Sequence, residues 1–170
     1  IIDNVREFLK GCRGYLPYTA GKYQLIIETT GSASITLTED DIIGGYNLSI
    51  PTKNERYNRV IVGFVDPARN FQVNEVQYPA IDDSGYATAD KHATMKTADG
   101  GFLLEGRFTF KTLTSAYQAE EMAEVILRRS REALTLGINV SFDAYDLAIG
   151  DIVNITHSSL GFSAKAFRVM

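Results

Sequence analysis

The feature that most constrains the fold is a single long helical pattern, residues 115–136, in a chain whose other apolar residues occur in short alternating runs. Its apolar face recurs at helical spacing: Ala119, Met122, Ala123, Ile126, Ala133 and Leu134. Glutamates lie early and arginines late, which complements the helix dipole and allows i,i+4 pairs such as Glu124 with Arg128. Ser115 and Gln118 predict a capping box at the start of the helix.

Short runs in which apolar and polar residues alternate predict β-strands on both sides of this helix. Residues 23–27 and 33–37 alternate around a turn-like segment, 29–32, which predicts a hairpin. Residues 58–65 are apolar on both faces, as expected for a central strand that is covered on both sides. A change of phase near Asn74 predicts a β-bulge in the strand that follows.

The N-terminal segment predicts a short amphipathic helix. Its apolar residues recur at helical spacing and share one face: Val5, Phe8, Leu9 and Cys12. Asp3 is placed to cap the start of the helix. Because cysteine is among the most buried residue types, we expect Cys12 to be a small core residue. It is the one cysteine of the chain, which excludes an internal disulfide and a cysteine-based zinc site.

The order of the elements indicates the fold class. Three more strand-like segments follow the long helix, at residues 138–145, 152–156 and 162–169. The connections between strands are short and one long helix interrupts them, which favours antiparallel pairing. We therefore predict an α+β protein of mostly antiparallel β structure, with one long packed helix and a short N-terminal helix.

A chain of 170 residues can form one domain or two small lobes. We expect one lobe at residues 1–55, a helix plus a hairpin, and another at residues 56–170, a β-rich part that holds the helix at 115–136. The sequence starts at Ile1 rather than Met and ends in strand-like residues. We therefore expect a fragment of a larger protein.

Composition excludes several classes of protein. With 45% hydrophobic and 22% charged residues, the chain is typical of globular proteins rather than disordered ones. Its apolar runs are all shorter than the roughly 18–20 residues of a membrane-spanning helix, and its charged N-terminal residues are unlike a signal peptide. The formal net charge of −4 argues against specific nucleic-acid binding, which usually needs a basic surface.

The two histidines do not indicate an active site. His157 precedes Ser158 and lies near Asp151, but close neighbours in a strand or turn cannot form the relay of a nucleophilic triad. We expect His157 to cap a turn and His92, in a polar segment, to be solvated. The sequence therefore predicts no catalytic, cofactor-binding or metal-binding residue, and no cofactor.

The sequence also contains two carboxylate pairs and an arginine cluster, and we interpret them as parts of turns and ion pairs rather than as a catalytic or binding site. The pairs are Asp40 with Asp41 and Asp82 with Asp83. A hydrolase needs two acids that face a cleft at a defined separation, which sequence neighbours do not indicate. We expect the first pair in a helical turn capped by Thr38 and the second in a solvated turn. The cluster of Arg128, Arg129 and Arg131 is expected to pair with the preceding glutamates.

Several segments change this interpretation when they are taken in order. They are GKYQL at 21–25, LTEDDI at 37–42, RYNRVIV at 56–62, VDP at 65–67, GDIVNITH at 150–157 and FRV at 167–169. Their order and spacing around the long helix resemble the central hub region of phage tail tip proteins, the family of the lambda-like host-specificity (J) proteins. The resemblance covers nearly the whole chain.

The resemblance implies a structural role. Proteins of this kind are trimeric hubs that close the distal end of the tail tube, join it to the fibre and to host attachment, and open for DNA. It implies a β-rich domain with a packed helix, a location in the virion tail after synthesis in the host cytoplasm, and contacts with other tail proteins and with further copies of the chain. The family has no catalytic residues to carry over.

Two other functions remain open. A receptor- or carbohydrate-binding module of a phage particle would present aromatic side chains in one groove, and the candidates are Tyr46, Tyr57, Tyr78 and Tyr86. A hydrolase would bring two acids, or a histidine and an acid, together in a cleft. A flat apolar patch would instead favour the assembly role.

Overall fold

The computed structural model describes residues 2–19, 21–52, 55–80 and 84–170. The chain forms two compact units, each built from two separate stretches of sequence. The helix unit comprises Ile1–Gly11 and Ser49–Leu134, and the strand unit comprises Cys12–Leu48 and Thr135–Met170. The lobes expected from the sequence meet between residues 55 and 56, which lies inside the helix unit. The difference arises because pairing between distant strands, rather than chain order, defines the units.

The predicted α+β class is confirmed, and both predicted helices are present. The long helix ends at Glu132 rather than at residue 136, because Thr135 and Leu136 belong to the strand that follows. The elements are, in chain order, α1 (Ile2–Cys12), β1 (Gly14–Tyr15), β2 (Tyr18–Thr19), β3 (Lys22–Tyr23), β4 (Ile26–Ile27), β5 (Ile35–Leu37), β6 (Ile42–Ser49), β7 (Arg59–Asp66), β8 (Gln72–Tyr78), α2 (His92–Ala98), β9 (Glu105–Phe110), α3 (Ala116–Glu132), β10 (Thr135–Val140), β11 (Ile152–His157) and β12 (Phe162–Arg168). Most of the strand pairs are antiparallel, and β7 with β9 and β5 with β11 are parallel.

The helix unit is built on a three-stranded sheet with β7 in the centre. β7 pairs antiparallel with β8, Val62 opposite Val76, and parallel with β9, Val62 opposite Phe108. The core between this sheet and α3 contains Val60, Val62, Phe64, Tyr78, Phe110, Ala119, Met122, Ala123 and Leu127. Alanines on α3 have small side chains, which lets the helix lie close to the sheet.

The opposite face of this sheet carries charged side chains. Alternation places Ile61 there, with Gln77 of β8 and Arg107 of β9 as its neighbours in the register. Arg107 forms ion pairs in two directions, its Nε 2.9 Å from a Glu105 oxygen and its Nη1 3.4 Å from a Glu75 oxygen. Ile61 is nevertheless buried, so β7 is covered on both faces, as the sequence predicts.

A buried asparagine connects the start of β7 to the segment after α2. Asn58 is fully buried, and its Nδ2 donates hydrogen bonds to the Phe102 carbonyl (2.8 Å) and to Asp99 Oδ2 (3.1 Å). Its Oδ1 accepts a hydrogen bond from the backbone N–H of Leu104 (2.9 Å). An asparagine can be buried at this position because its amide finds partners on both sides.

The end of α3 joins the same network. Arg131 Nη1 lies 2.8 Å from Asp99 Oδ2 and donates to the Tyr57 carbonyl at 3.1 Å, and Nη2 donates to Asp99 Oδ1 at 3.3 Å. Burial raises the pKa of Asp99, but the hydrogen bonds from Arg131 and Asn58 outweigh it and hold that pKa below its usual value. We call Asn58, Asp99 and Arg131 the polar latch of the helix unit.

The strand unit has a smaller core. β11 is the central strand of a three-stranded sheet, antiparallel to β12 and parallel to β5, and β6 pairs with β10 in a second, two-stranded sheet. Its buried cluster consists of Leu37, Ala144, Val153 and Ile155. The apolar residues packed around this cluster are only partly buried, and they include Ile35, Ile138, Phe162 and Phe167.

The hairpin predicted between residues 23–27 and 33–37 is wrong. Tyr23 lies opposite Tyr18, and Ile26 and Ile27 pair with Tyr15 and Gly14, so the first run folds back on earlier residues. The second run, β5, pairs with β11 instead. Both runs alternate as predicted, but alternation alone does not say which strand is the partner.

Three local predictions also need correction. The β7–β8 register is continuous, so the change of phase near Asn74 does not reflect a bulge. Ser115 precedes α3 without the predicted side-chain cap. Cys12 is exposed rather than buried, because α1 keeps none of its described residues fully buried. The turn after β5 is confirmed, since Asp41 accepts hydrogen bonds from the N–H (2.8 Å) and the hydroxyl (2.9 Å) of Thr38.

Candidate interaction surfaces

In the structure, His157 lies next to a carboxylate from a distant part of the sequence. Its Nδ1 lies 3.4 Å from Glu39 Oε1, and its ring meets the ring of Tyr46 edge to face at 5.2 Å. Glu39 also accepts a hydrogen bond from the backbone N–H of Ser158, and the bonds from Ser158 lower the pKa of this glutamate. Glu39 therefore caps the turn after β11, a role that sequence reasoning missed because the two residues are far apart in the chain.

The other candidate catalytic or metal-binding residues do not come together in one site among the residues that the structure describes. The carboxylate of Asp41 accepts hydrogen bonds from Thr38, which lower the pKa of Asp41. Asp82 and Asp83 lie outside the described residues. His92 is the first residue of α2 and is half-buried. Within the described ranges, no group of three or more His, Cys, Asp or Glu side chains is placed to hold a metal ion. Nor does that part of the chain contain a helix long and apolar enough to cross a membrane.

Three of the four tyrosines proposed for a binding groove belong to the core of the helix unit. Tyr78 is buried, Tyr57 and Tyr86 pack against the same cluster, and the Tyr78 and Tyr86 rings meet edge to face at 5.2 Å. The Tyr86 hydroxyl donates to Glu120 at 3.3 Å, and burial raises the pKa of Tyr78 and of Tyr86. These tyrosines therefore pack the core instead of forming a groove.

The strand unit presents a different apolar surface, on a β-hairpin. β1 pairs with β4, Gly14 opposite Ile27, and β2 pairs with β3, Tyr18 opposite Tyr23. The two pairings have the same register, so residues 14–19 and 22–27 form one continuous hairpin. Gly21, with φ +80°, lies in the tight turn at its tip.

One face of this hairpin is apolar and exposed. Directly opposed residues of an antiparallel pair lie on the same face, and the faces alternate along each strand. The side chains that share this face, with their exposed fractions, are Leu16 (37%), Tyr18 (64%), Tyr23 (71%), Leu25 (55%) and Ile27 (51%). The Tyr18 and Tyr23 rings lie 4.9 Å apart. We call these five residues the hairpin face.

The other face and the base of the hairpin are held by the strand unit. Ile26 points to that other face, and a Cβ on Gly150 would lie only 3.0 Å from its Cγ2, so the hairpin lies against the turn before β11. Arg168 of β12 donates to the Thr29 carbonyl at 2.8 Å, and its Nε lies 3.4 Å from Glu28. The hairpin is therefore anchored on one side and open on the other.

Other apolar side chains are exposed as well, on both units. Phe142 and Tyr145 are 84% and 76% exposed, and their rings stack at 5.1 Å with an angle of 15° between the planes. On α1 of the helix unit, Ile2 and Phe8 are each 67% exposed and Val5 is 38% exposed.

A family model described as "Putative phage tail protein" matches residues 2–170 of the chain. This match confirms the resemblance that the order of the sequence segments indicates. The chain is also similar to baseplate hub protein pb3 of Escherichia phage T5, with 23% identity over 169 residues. That alignment covers 99% of this chain but only 16% of the phage T5 protein.

Two solved structures share the fold. A chain in the virion of a native gene transfer agent particle matches with a TM-score of 0.64 and 16% identity, over 96% of this chain and 34% of that chain. The tail protein from Neisseria meningitidis MC58 matches with a TM-score of 0.53 and 14% identity, over 96% of this chain and 46% of that one. In each case the chain corresponds to less than half of the other protein.

Proposed function

The chain belongs to the phage tail protein family, which its match over residues 2–170 shows, and on this premise we propose that it is a structural module of a tail tip or baseplate hub. In this role it acts in tail assembly and in host attachment or DNA delivery. It works by binding other proteins and not by catalysis. The similarity to the baseplate hub protein of phage T5 supports this placement within the tail.

The observation that carries the proposal is the hairpin face. Five neighbouring apolar side chains are exposed on an element that is otherwise anchored. The largest contiguous apolar patch on a monomeric protein, commonly about 300–600 Å2, is often a site of interaction. A chain whose work is assembly needs such a surface, whereas a hydrolase would need a cleft with converging acids.

The partners follow from the same role. We propose that the chain contacts other tail proteins and further copies of itself, as a homotrimer in the full-length protein, in the tail of the virion. The protein is made in the cytoplasm of the bacterial host before assembly. Specific nucleic-acid binding has no part in this role, since the chain has a formal net charge of −4.

Immunogold electron microscopy tests the proposed location. Antibodies raised against the 170-residue chain would be applied to intact particles from the phage or prophage that encodes it. We expect gold label at the distal end of the tail and loss of complete tails when the gene is deleted. Label elsewhere on the particle, or normal tails after deletion, would contradict the proposal.

A receptor- or carbohydrate-binding module is the second candidate, because Phe142 and Tyr145 form a stacked and exposed aromatic pair. Aromatic faces of this kind suit the apolar side of a sugar ring. Screening the chain against host surface glycans distinguishes the two roles, with Tyr145→Ala as the test variant and Tyr117→Ala as the control. Binding that Tyr145→Ala abolishes and Tyr117→Ala preserves would favour this second function.

A further inference from the structure

We propose that the outer edge of β9 in the helix unit binds an extended segment of another tail protein, which adds to the β8-β7-β9 sheet as a fourth strand. The inference rests on the proposed assembly function and names a surface and a kind of partner that serve it. An open sheet edge presents a row of N–H and C=O groups, and an extended backbone offers the complementary row. The edge therefore defines the chemistry of its partner.

The hydrogen bonds of the sheet show which backbone groups of β9 point outward. The Arg59 N–H of β7 donates to the Leu104 carbonyl at 3.3 Å, just before β9 begins. Because successive residues of a strand direct these groups to alternate sides, Gly106 also bonds to β7. In the part of the chain that the structure describes, no further strand pairs with the other side of β9. The residues whose N–H and C=O groups point to that side are Glu105, Arg107 and Thr109, and we call these groups the β9 edge.

The opposite edge of the same sheet is closed by a side chain. On β8, the Glu75 N–H points outward and donates to Asn74 Oδ1 at 3.0 Å. The Asn74 amide is itself held, since its Nδ2 donates to Asp66 Oδ2 at 3.0 Å. A fourth strand on this side would first have to displace the Asn74 amide, which leaves β9 as the available edge.

The charged side chains of β9 are turned away from its edge. Arg107 Nη1 lies 3.4 Å from a carboxylate oxygen of Glu75 on β8, so this ion pair reaches across β7, the central strand. Glu105 is drawn the same way by Arg59 of β7, whose Nη1 lies 3.7 Å from its Oε2. Charges that project from an edge hinder the addition of a strand. Here they pair over the face of the sheet, and the edge stays accessible.

Two aromatic rings lie beside the edge, on the face that carries α3. Tyr57 and Phe108 meet edge to face at 5.9 Å and are half-buried, because α3 lies over β7 and β8. An added strand would place every second side chain beside these rings and the intervening ones beside Arg107 and Thr109. The partner segment is therefore expected to alternate apolar and polar residues over about five positions, the usual length of a strand.

The geometry of the edge favours a different protein over a second copy. Two β9 edges that pair with each other are related by a two-fold axis, which joins two copies and does not close a ring of three. The β8 edge of a neighbouring copy is closed by Asn74, so helix units do not continue from edge to edge around the proposed homotrimer. The added strand is therefore assigned to another protein of the tail.

Hydrogen exchange of single amides, measured by mass spectrometry with electron-transfer dissociation, tests the inference on the 170-residue chain and on intact tails. In the isolated chain, we expect the Arg107 and Thr109 amides to exchange rapidly and the Phe108 amide, which faces β7, to exchange slowly. In tails, the Arg107 and Thr109 amides should exchange at least about tenfold more slowly than in the isolated chain. Equal exchange in the two states would overturn the inference.

Proline at an outward position supplies a second test, because it removes an outward N–H without breaking the ladder to β7. Thr109→Pro is the test variant. Val73→Pro at the β8 edge is the matched control, since both side chains flank Gly63 of β7 on the same face. We expect both variants to fold, as circular dichroism and thermal unfolding check, and Thr109→Pro to enter tails at least tenfold less than Val73→Pro. Equal incorporation would overturn the inference, and if Thr109→Pro does not fold, hydrogen exchange of wild-type tails decides.

The remaining outcomes separate the inference from the proposed function. Immunogold label at the tail tip together with unchanged exchange of the β9 edge would overturn the inference and leave the assembly function standing. Absence of the chain from tails would overturn both. Slow exchange of the β9 edge in the concentrated isolated chain, lost on dilution, would identify a second copy as the partner and would also overturn the inference.

Discussion

The helix unit and the strand unit bury their apolar side chains to different extents. In the helix unit, α3 covers one face of the β8-β7-β9 sheet, and eleven of the residues that the structure describes there are buried in its core. The strand unit buries only four of its described residues in its cluster and leaves the hairpin face open. The helix unit therefore has the larger core, whereas the strand unit combines a smaller core with the open hairpin face. We therefore expect the helix unit to contribute more than the strand unit to the stability of the chain.

The largest effect is expected from the core of the helix unit. Phe64→Ala removes a buried ring between the sheet and α3 and should lower the free energy of unfolding by about 3–5 kcal/mol. Phe71→Ala, at a phenylalanine that is 70% exposed, should change it by less than about 0.5 kcal/mol. Urea unfolding monitored by circular dichroism measures both. Similar effects of the two substitutions would contradict the claim that the buried cluster stabilises the helix unit.

The polar latch should give the next largest effect. Arg131→Met leaves the Asp99 carboxylate, which is 8% exposed, without its cationic partner and should cost about 2 kcal/mol of unfolding free energy. The control is Arg69→Met, whose ion pair with Asp66 is long (3.9 Å) and exposed on the arginine side, and should cost less than about 0.5 kcal/mol. Hydrogen exchange of β7 and α3 amides would show the loss of protection. Unchanged protection in Arg131→Met would rule out a stabilising role for the latch.

The turn beneath the hairpin tests the anchoring of the strand unit. Gly150 has φ +98°, and a Cβ there would lie 3.0 Å from Ile26. Gly150→Ala should therefore cost about 1–2 kcal/mol. Gly161→Ala is the control, because this glycine also has a positive φ (+66°) but has open space around its Cβ position. Thermal unfolding should show the larger loss for Gly150→Ala, and equal losses would mean that the hairpin is not held by this turn.

The smallest effect is a dependence of stability on pH. The folded pKa of Asp99 lies below its unfolded value, so its contribution is complete above the unfolded pKa and is lost as the pH falls through the folded pKa. Unfolding free energy of the wild type should therefore decline below about pH 4. Asp99→Asn should show a shallower decline, whereas Asp3→Asn, on the surface of α1, should follow the wild type. Parallel curves for all three proteins would mean that ionised Asp99 does not stabilise the folded state.

Local patterns in the sequence predict much of this fold. The spacing of Met122 and Ala123 predicts α3, the apolar run at 58–65 predicts β7, and Thr38 predicts the turn that Asp41 caps, because each depends on residues close together in the chain. The pairing of β5 with β11 joins residues more than a hundred positions apart. Such pairings depend on the packing of the whole unit, which alternation does not encode.

The candidate surface was harder to predict than the fold. The alternation of Tyr23, Leu25 and Ile27 shows that they share a face, but it does not show whether that face is covered. Cys12 illustrates the same difficulty, since its helical pattern suggests burial and the structure exposes it. An apolar face is buried only where another element covers it, and that element can belong to another molecule.

Thiol labelling of intact tails tests the central claim most directly, namely that the hairpin face is covered in the assembled particle. Tyr23→Cys in a Cys12→Ser background would be exposed to a maleimide probe in the isolated chain and in purified tails, and the labelling rates compared by mass spectrometry. The account predicts rapid labelling of the isolated chain and labelling at least tenfold slower in the tail. Equal rates in both would contradict it.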